Sequence, residues 1–295
     1  EAAMSEYVTR TMLPDDFATV LSGWQKNAPH DAGDADWFRS EVLPRGGDGR
    51  ALIAEIDGKF AGFMCAMGKT IRGFYVLPIF QRQGIGTSLL DAVVADRRRL
   101  GHRGLNVSSN NYWCTVPGID SRYEAAIAFL EQNDFWRGRP NHDVALDLPG
   151  MAKARGAAAA ITAGLRILDY DPAMLPRMQR FVANLNMPGW LWSDWEAQYS
   201  VQNNHVRIVA QDATDIVGWV DGVVSPNGAG GISYIAVLPQ HRHKKIGSLL
   251  LNRAVCELRD RGASSVFAPY VPAPFYVSNG WRICREYVTL QRNIG

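Results

Sequence analysis

Two short stretches hold residue types that can do chemistry together. The first is Gln81-Arg82-Gln83-Gly84-Ile85-Gly86-Thr87, and the second is Arg242-His243-Lys244-Lys245-Ile246-Gly247-Ser248. Each is polar, and each has a glycine just before a run of helical periodicity. A segment of this kind gathers unpaired backbone N–H groups at the positive end of a helix dipole, which is a ready anion site. Gly84 and Gly86 carry no side chain to block a closely approaching phosphate. In the second stretch Lys245 stands where Gly84 stands in the first, so it crowds the turn but adds an ammonium beside the anion. His241 and His243 have no carboxylate or cysteine completing a metal set, and they read as loop histidines near phosphate. We expect no metal.

The elements that must position these loops follow from the flanking pattern. Phe74-Tyr75-Val76-Leu77 is an apolar, β-prone run that Pro78 stops. After the loop, Ile85, Leu89, Leu90, Val93 and Val94 fall on one helix face. The unit is strand, tight loop, helix N-terminus. The same grammar returns as Tyr234-Ile235-Ala236-Val237-Leu238-Pro239, the second loop, and then Leu249-Leu250. Gly86 and Gly247 are 161 positions apart (247 − 86), as are Gln81 and Arg242. A repeated strand–loop–helix is far stronger evidence than one glycine-rich turn, and it divides the chain into two tandem modules.

Gln-x-x-Gly-x-Gly after a Val-x-Pro strand end resembles the acyl-CoA pyrophosphate loop of the GCN5-related N-acetyltransferases (GNAT). Two copies resemble the tandem type, with a mycothiol-synthase-like architecture. The resemblance implies an α/β fold of two GNAT-like domains. Each would be a mixed, mostly antiparallel sheet flanked by helices, with a splayed central strand pair. It implies acetyl-CoA as co-substrate, held by Tyr75, Val76, Gln81, Arg82, Gln83, Gly84, Ile85, Gly86 and Thr87 in one half. In the other half the holders are Ala236, Val237, Arg242, His243, Lys244, Lys245, Ile246, Gly247 and Ser248. It places a bulge and a thioester-facing N–H near Val76 and Val237. Pro274-Phe275-Tyr276-Val277-Ser278-Asn279-Gly280-Trp281 matches the late family signature, so Tyr276 takes the place of the acid that protonates the departing thiolate. The first half reads Phe129-Leu130 to Asp134-Phe135, with Leu130 for the tyrosine and Asp134 for the glycine. No single base emerges: Asp221, His241 and Glu196 in the second half, Glu124 and Asp120 in the first, and ordered water all stay open. Neither a full Gly-x-x-x-x-Gly-Lys-[Ser/Thr] nor a full Gly-x-Gly-x-x-Gly is present, which disfavours nucleotide hydrolysis and Rossmann binding.

In chain order, the domains are expected at residues 4–150 and 165–295, with an alanine- and glycine-rich linker at 151–164. Asp57-Gly58 marks a hairpin. His30, Asp31, Asp34 and Asp36 read as a solvated loop, or as a holder for a cationic amine. Arg97-Arg98-Arg99 read as a solvated helix end. Val144 to Leu148 is expected to finish the first half. Trp190, Trp192 and Trp195 read as core, inter-module contact or acceptor wall. Ser225 to Gly231 reads as a turn.

Composition bounds the rest. A chain of 295 residues, 47% hydrophobic and 20% charged, suits two globular domains. A net charge of +2 gives no basic field for nucleic acid. No run approaches the roughly 18 apolar residues of a membrane span, and no signal peptide is visible. Cys65, Cys114, Cys256 and Cys284 lack paired spacing and read as reduced thiols. The expectation is a cytoplasmic monomer or homodimer. It would transfer an acetyl group to a small-molecule amine, with catalysis in the second half. The alternatives are a non-catalytic acyl-CoA-sensing protein and a protein N-acetyltransferase.

Overall fold

A computed structural model describes residues 7–31, 33–44, 46–111, 114–148, 164–185 and 205–295. Two compact units emerge: residues 1–141 with 286–295, and residues 142–285. The first opens with β1 (Tyr7–Thr11), α1 (Phe17–Asn27) and the short α2 (Ala35–Trp37), which runs into a π-helical turn at Phe38–Val42. It continues through β2 (Arg50–Ile56), β3 (Lys59–Met67), β4 (Thr70–Val76), α3 (Ile85–Arg99) and β5 (Gly104–Asn106). The hairpin β6 (Ser109–Asn111) and β7 (Cys114–Val116), then β8 (Ile119–Asp120), α4 (Glu124–Gln132) and β9 (Trp136–Arg137) follow. Strand β10 (Asn141–Asp147) carries the chain into the second unit. There it forms β11 (Arg166–Asp169), α5 (Leu175–Leu185), β12 (His205–Gln211), β13 (Ile216–Val224), β14 (Ala229–Val237) and α6 (Ile246–Asp260). Next come β15 (Ser265–Val271), α7 (Ala273–Val277) and β16 (Arg282–Val288), and β17 (Leu290–Asn293) lies back in the first unit.

The first sheet has the order β1-β2-β3-β4-β5-β17-β9. In the second unit the order is β11-β12-β13-β14-β15-β10-β16. Pairing is antiparallel except at the centre. There β4 meets β5 in parallel only at Thr70↔Asn106, and β14 meets β15 at three positions from Ala229↔Ser265 to Gly231↔Phe267. Beyond those points each central pair splays. Just past the split, each central strand holds one extra residue. Arg72 is the extra residue in β4, between the pairs Cys65↔Gly73 and Ala66↔Ile71. Ser233 is the extra residue in β14, between Asp221↔Tyr234 and Gly222↔Ile232. These bulges bend the strands away from their neighbours. They lie four residues before Val76 and Val237, where the bulge was expected, because nothing in the side chains of Arg72 or Ser233 marks one. The α/β tandem architecture is otherwise as the pattern implied.

Val144 to Leu148 does not finish the first half. Strand β10 pairs antiparallel with β15 of the second unit, at Val144↔Ala268 through Asp147↔Ser265. The first sheet is completed by β17, which pairs with β5 on one side and β9 on the other. Alternation of apolar residues tells which face of a strand is buried, not which sheet supplies its partner.

Each sheet is covered by helices whose apolar stripes supply the core. In the first unit Ile85, Leu89, Leu90, Val93 and Val94 of α3 pack on one face, with Ile127 and Leu130 of α4. Val20 and Trp24 of α1 pack with Phe38, Phe63 and Tyr75 on the other. In the second unit Met178 and Phe181 of α5 join a core with Trp219, Leu250, Leu251 and Val255. Each such side chain contributes about 1.5–3 kcal/mol on burial. Asp57 and Gly58 both take positive φ, at 50° and 71°, as a two-residue hairpin turn requires. Only Ser225 to Gly228 is turn; Ala229 to Gly231 already belong to β14. Arg97 departs from its expected solvated role. It is 1% exposed, donates to the carbonyls of Asp48 and Gly68, and pairs with Asp96. Cys256 and Cys284 are free thiols, and the buried Cys65 Sγ donates to the Val42 carbonyl at 3.1 Å. Among the described residues no helix is long and apolar enough to cross a membrane.

Candidate functional site

Both loops adopt the same unusual backbone. Arg82 and Gly84 have φ of 62° and 83°, and His243 and Lys245 have 63° and 60°. Gly84 caps α3 and Lys245 caps α6. Alternating left-handed residues ahead of a helix turn successive N–H groups inward, which makes an anion-binding concavity. Gln81 to Gly84 and Arg242 to Lys245 are exposed, so their side chains and amides are open to a ligand. Each loop is tied back to its strand by its first side chain. Gln81 Nε2 donates to the Val76 carbonyl at 3.0 Å, and Arg242 Nε donates to that of Val237 at 3.1 Å. Ile85 and Ile246 anchor the helix starts in the cores, while Thr87 is exposed and Ser248 half-buried.

The two glycines of the first loop serve different ends. A Cβ on Gly84 would touch only the Tyr7 hydroxyl, at 3.9 Å, so glycine suits its positive φ rather than a crowded space. A Cβ on Gly86 would sit 3.1 Å from the Phe129 ring, and one on Gly247 would sit 3.2 Å from that of Phe275. These second glycines therefore seat α4 on α3 and α7 on α6, a packing role beside the one expected of Gly86 toward phosphate. Lys245 accepts its left-handed φ without being glycine.

The splayed edges carry the donors. The Leu77 N–H donates to the Ala61 carbonyl, and that of Leu238 to Val217, each at 2.9 Å. Along a strand, successive residues present their N–H groups to opposite edges. Val76 and Phe74 therefore turn their N–H groups toward the open side of β4, as Val237 and Ile235 do on β14. Among the described residues no strand pairs there. The side chain of Tyr75 goes elsewhere: it is buried under α1 and donates to the Val20 carbonyl at 2.7 Å. Burial raises its pKa far above the usual tyrosine range. Only its backbone is left to meet a ligand. Ala236 fills the equivalent place in the second unit.

Tyr276 lies on α7, one position from the phenylalanine that abuts Gly247. Its ring is 3% exposed and packs edge-to-face against Phe275 and Trp281, with centroids 5.1 and 5.2 Å away. Burial pushes its pKa up to about 12. No hydrogen bond holds its hydroxyl among the described residues. In the first unit Leu130 occupies this place, fully buried.

The candidate bases fare unequally. Asp120 is clamped by Arg122 through Nε at 2.8 Å and Nη2 at 2.5 Å. Glu124 opens α4. His241 Nε2 is 3.9 Å from Asp212. Asp221 is 1% exposed and meets His205 Nδ1 at 3.1 Å. Glu196, Trp190, Trp192, Trp195 and the 151–163 linker lie outside the described residues. His30, Asp34 and Asp36 are exposed, as the solvated-loop reading expects, and the segment is also tied down by hydrogen bonds. The His30 N–H donates to the Tyr123 hydroxyl at 2.8 Å, Trp24 Nε1 donates to the Asp31 carbonyl at 2.9 Å, and Asp34 caps α2. Tyr123, His205, Arg207 and Tyr234 escaped the sequence reading. The one available signal was His205 and Arg207 at alternate positions in an otherwise apolar strand.

A profile of the acetyltransferase (GNAT) domain matches residues 47–137 and again 203–283. Solved structures give the same fold. A GCN5-related glucosamine N-acetyltransferase region of a fungal multi-domain GH3 β-N-acetylglucosaminidase aligns with 98% of this chain at 19% identity and a TM-score of 0.78. The chain spans 38% of that protein's length. A GCN5-related N-acetyltransferase from Sphaerobacter thermophilus aligns over 98% of this chain and 96% of its own, at 19% identity and a TM-score of 0.66. A tandem GNAT protein from the clavulanic acid biosynthesis pathway aligns over 98% and 99%, at 15% identity and a TM-score of 0.57. A comparison with curated proteins returned no match.

Proposed function

The chain belongs to the acetyltransferase (GNAT) family, and from that premise we propose that it moves an acetyl group from acetyl-CoA to the amine of a small molecule, in its second unit. The observation that carries this reading is Tyr276: a ring locked by Phe275 and Trp281, a hydroxyl with no competing partner among the described residues, and a pKa of about 12 that keeps it protonated at neutral pH. A protonated hydroxyl is what a departing thiolate needs.

The second unit's other residues complete the chemistry. The amides of the 242–248 loop, the α6 N-terminus, Arg242, His243, Lys244 and Lys245 hold the pyrophosphate. The N–H groups of Ile235 and Val237 receive the thioester oxygen as charge builds on it. The acceptor nitrogen forms its bond to the carbonyl carbon as the C–S bond breaks. The nitrogen's proton leaves to a base or water, and Tyr276 protonates sulfur. The first unit keeps its phosphate loop but has Leu130 in place of the acid. It holds CoA without turnover. The fungal relative described as a glucosamine N-acetyltransferase makes amino sugars reasonable first acceptors.

Calorimetry with acetyl-CoA on the intact chain tests this, repeated with Gly84→Glu and Lys245→Glu, the two exposed N-cap positions. A glutamate at either place sets charge against phosphate. Two sites are expected, each weakened by its own substitution, with amine-dependent CoA release lost only in Lys245→Glu. No binding in the parent would defeat the acyltransferase reading.

A further inference from the structure

The two units can be compared strand by strand through their pairings. Val76 pairs with Gly62, Gly62 with Ala54, and Ala54 with Thr9. In the same way Val237 pairs with Gly218, Gly218 with Ala210, and Ala210 with Ile167. Thr9 of β1 and Ile167 of β11 therefore hold the same place, and Tyr7 and Leu165 hold the place two residues earlier. On the helices, Gly84 corresponds to Lys245 and Ser88 to Leu249, each pair 161 positions apart (245 − 84, 249 − 88).

These corresponding positions differ in kind. In the second unit Leu165 and Ile167 pack on the core. In the first unit the strip is polar. Thr9 Oγ1 lies 3.1 Å from Ser88 Oγ, which pins β1 to α3 one turn beyond the helix cap. Tyr7 shares the face of Thr9, because side chains alternate along a strand. It reaches the cap itself: its hydroxyl lies 3.9 Å from where a Cβ on Gly84 would sit. That Cβ position is where the side chain of Lys245 begins in the second unit. One spot beside the cap thus carries a cationic side chain in one unit and a phenol hydroxyl in the other. Tyr7 is 40% exposed, and among the described residues its hydroxyl has no hydrogen-bond partner. The first loop is also the poorer in charge: Arg82 is its one cation, against Arg242, Lys244 and Lys245 in the second.

Resting on the transferase reading above, we propose that Tyr7 is a further cofactor-binding residue of the first unit, its hydroxyl donating to a pyrophosphate oxygen held at the Gly84 cap. A neutral donor does there by hydrogen bonding what Lys245 does by charge in the second unit. An O–H donated to an ionised oxygen is a short, strong hydrogen bond. Salt screens it far less than it screens an exposed ammonium. The first site therefore keeps its hold on the cofactor at ionic strengths that weaken the second.

Calorimetry with acetyl-CoA on the full chain tests this. The Lys245→Glu chain reports the first site and the Gly84→Glu chain the second. Tyr7→Phe removes the hydroxyl and keeps the ring. Added to Lys245→Glu, it is expected to raise Kd about three- to tenfold; added to Gly84→Glu, it is expected to leave Kd unchanged. The same rise is expected at about 0.5 M salt, and with 3′-dephospho-CoA, which keeps the pyrophosphate. The ligand-free melting temperature of Tyr7→Phe should match the parent's. An unchanged first-site Kd overturns the inference, and so does an equal loss at both sites. A rise that vanishes with 3′-dephospho-CoA also overturns it, by moving the contact to the 3′-phosphate. Binding in the parent at the second site alone overturns the inference and leaves turnover in the second unit standing. No binding at either site defeats the transferase reading, and the inference with it.

Discussion

Tyr276 and Lys245 are the residues whose local physics reaches furthest. Tyr276→Phe keeps the packed ring and removes the proton donor. It is expected to lower kcat by about 10²-fold with acetyl-CoA affinity unchanged, checked by steady-state kinetics beside calorimetry. The same residue has a signature in stability. Its pKa is raised by burial to about 12, so its contribution is intact below the ordinary tyrosine range near 10 and is lost as pH climbs through about 12. Melting curves across that window should fall less steeply in Tyr276→Phe than in the parent. Lys245 holds φ at 60° without being glycine, a conformation costing about 1–2 kcal/mol for an L-residue. Lys245→Gly is expected to raise stability by up to about 1 kcal/mol, after glycine's greater chain entropy is subtracted. It should also weaken acetyl-CoA binding by removing the ammonium. At this scale the sequence was readable where a motif fixed residue types, as in both loops and in Phe275-Tyr276. It offered Asp221 only as one of several candidate bases, because the burial and the cross-strand pairing with Arg207 and Tyr234 that set its surroundings are not encoded in local spacing.

The strand–loop–helix elements were the most legible part, since a change from a β-prone run to helical periodicity around a glycine has few other solutions. What stayed hidden was the reason for each glycine. Gly84 and Gly86 look equivalent on paper, yet one answers to backbone dihedral and the other to a neighbouring ring. Gly86→Ala is therefore expected to destabilise by about 1–3 kcal/mol through the Phe129 contact, with α4 displaced from α3. Gly84→Ala should cost about 1–2 kcal/mol through φ alone. Chemical denaturation gives both values, and near-UV circular dichroism separates them, because only the first disturbs an aromatic contact. The bulges at Arg72 and Ser233 were equally invisible, although they open the strands at the level where chemistry is proposed.

At the scale of the whole molecule, the chain does not divide where its composition changes. Residues 286–295 belong to the first unit, and Val288, Leu290 and Ile294 lie in its core. Together those three burials are comparable to the roughly 5–15 kcal/mol margin of a domain. A chain cut after Arg285 is expected to lose the first unit's cooperative melting transition and its acetyl-CoA site, though the cut lies far from both in sequence. Differential scanning calorimetry of the shortened chain checks this; a first unit that still melts cooperatively would refute it.

The place of β17 also bears on how the protein is made. A ribosome releases β5, β8 and β9 early, but the strand that pairs with β5 and β9 comes more than a hundred residues later. At about 5–20 residues per second, the first sheet waits on the order of ten to thirty seconds with an unpaired edge exposed. The nascent first half thus keeps that edge open until β17 has been synthesised. For the same reason, a mutation that shortens the message would spoil the part already synthesised.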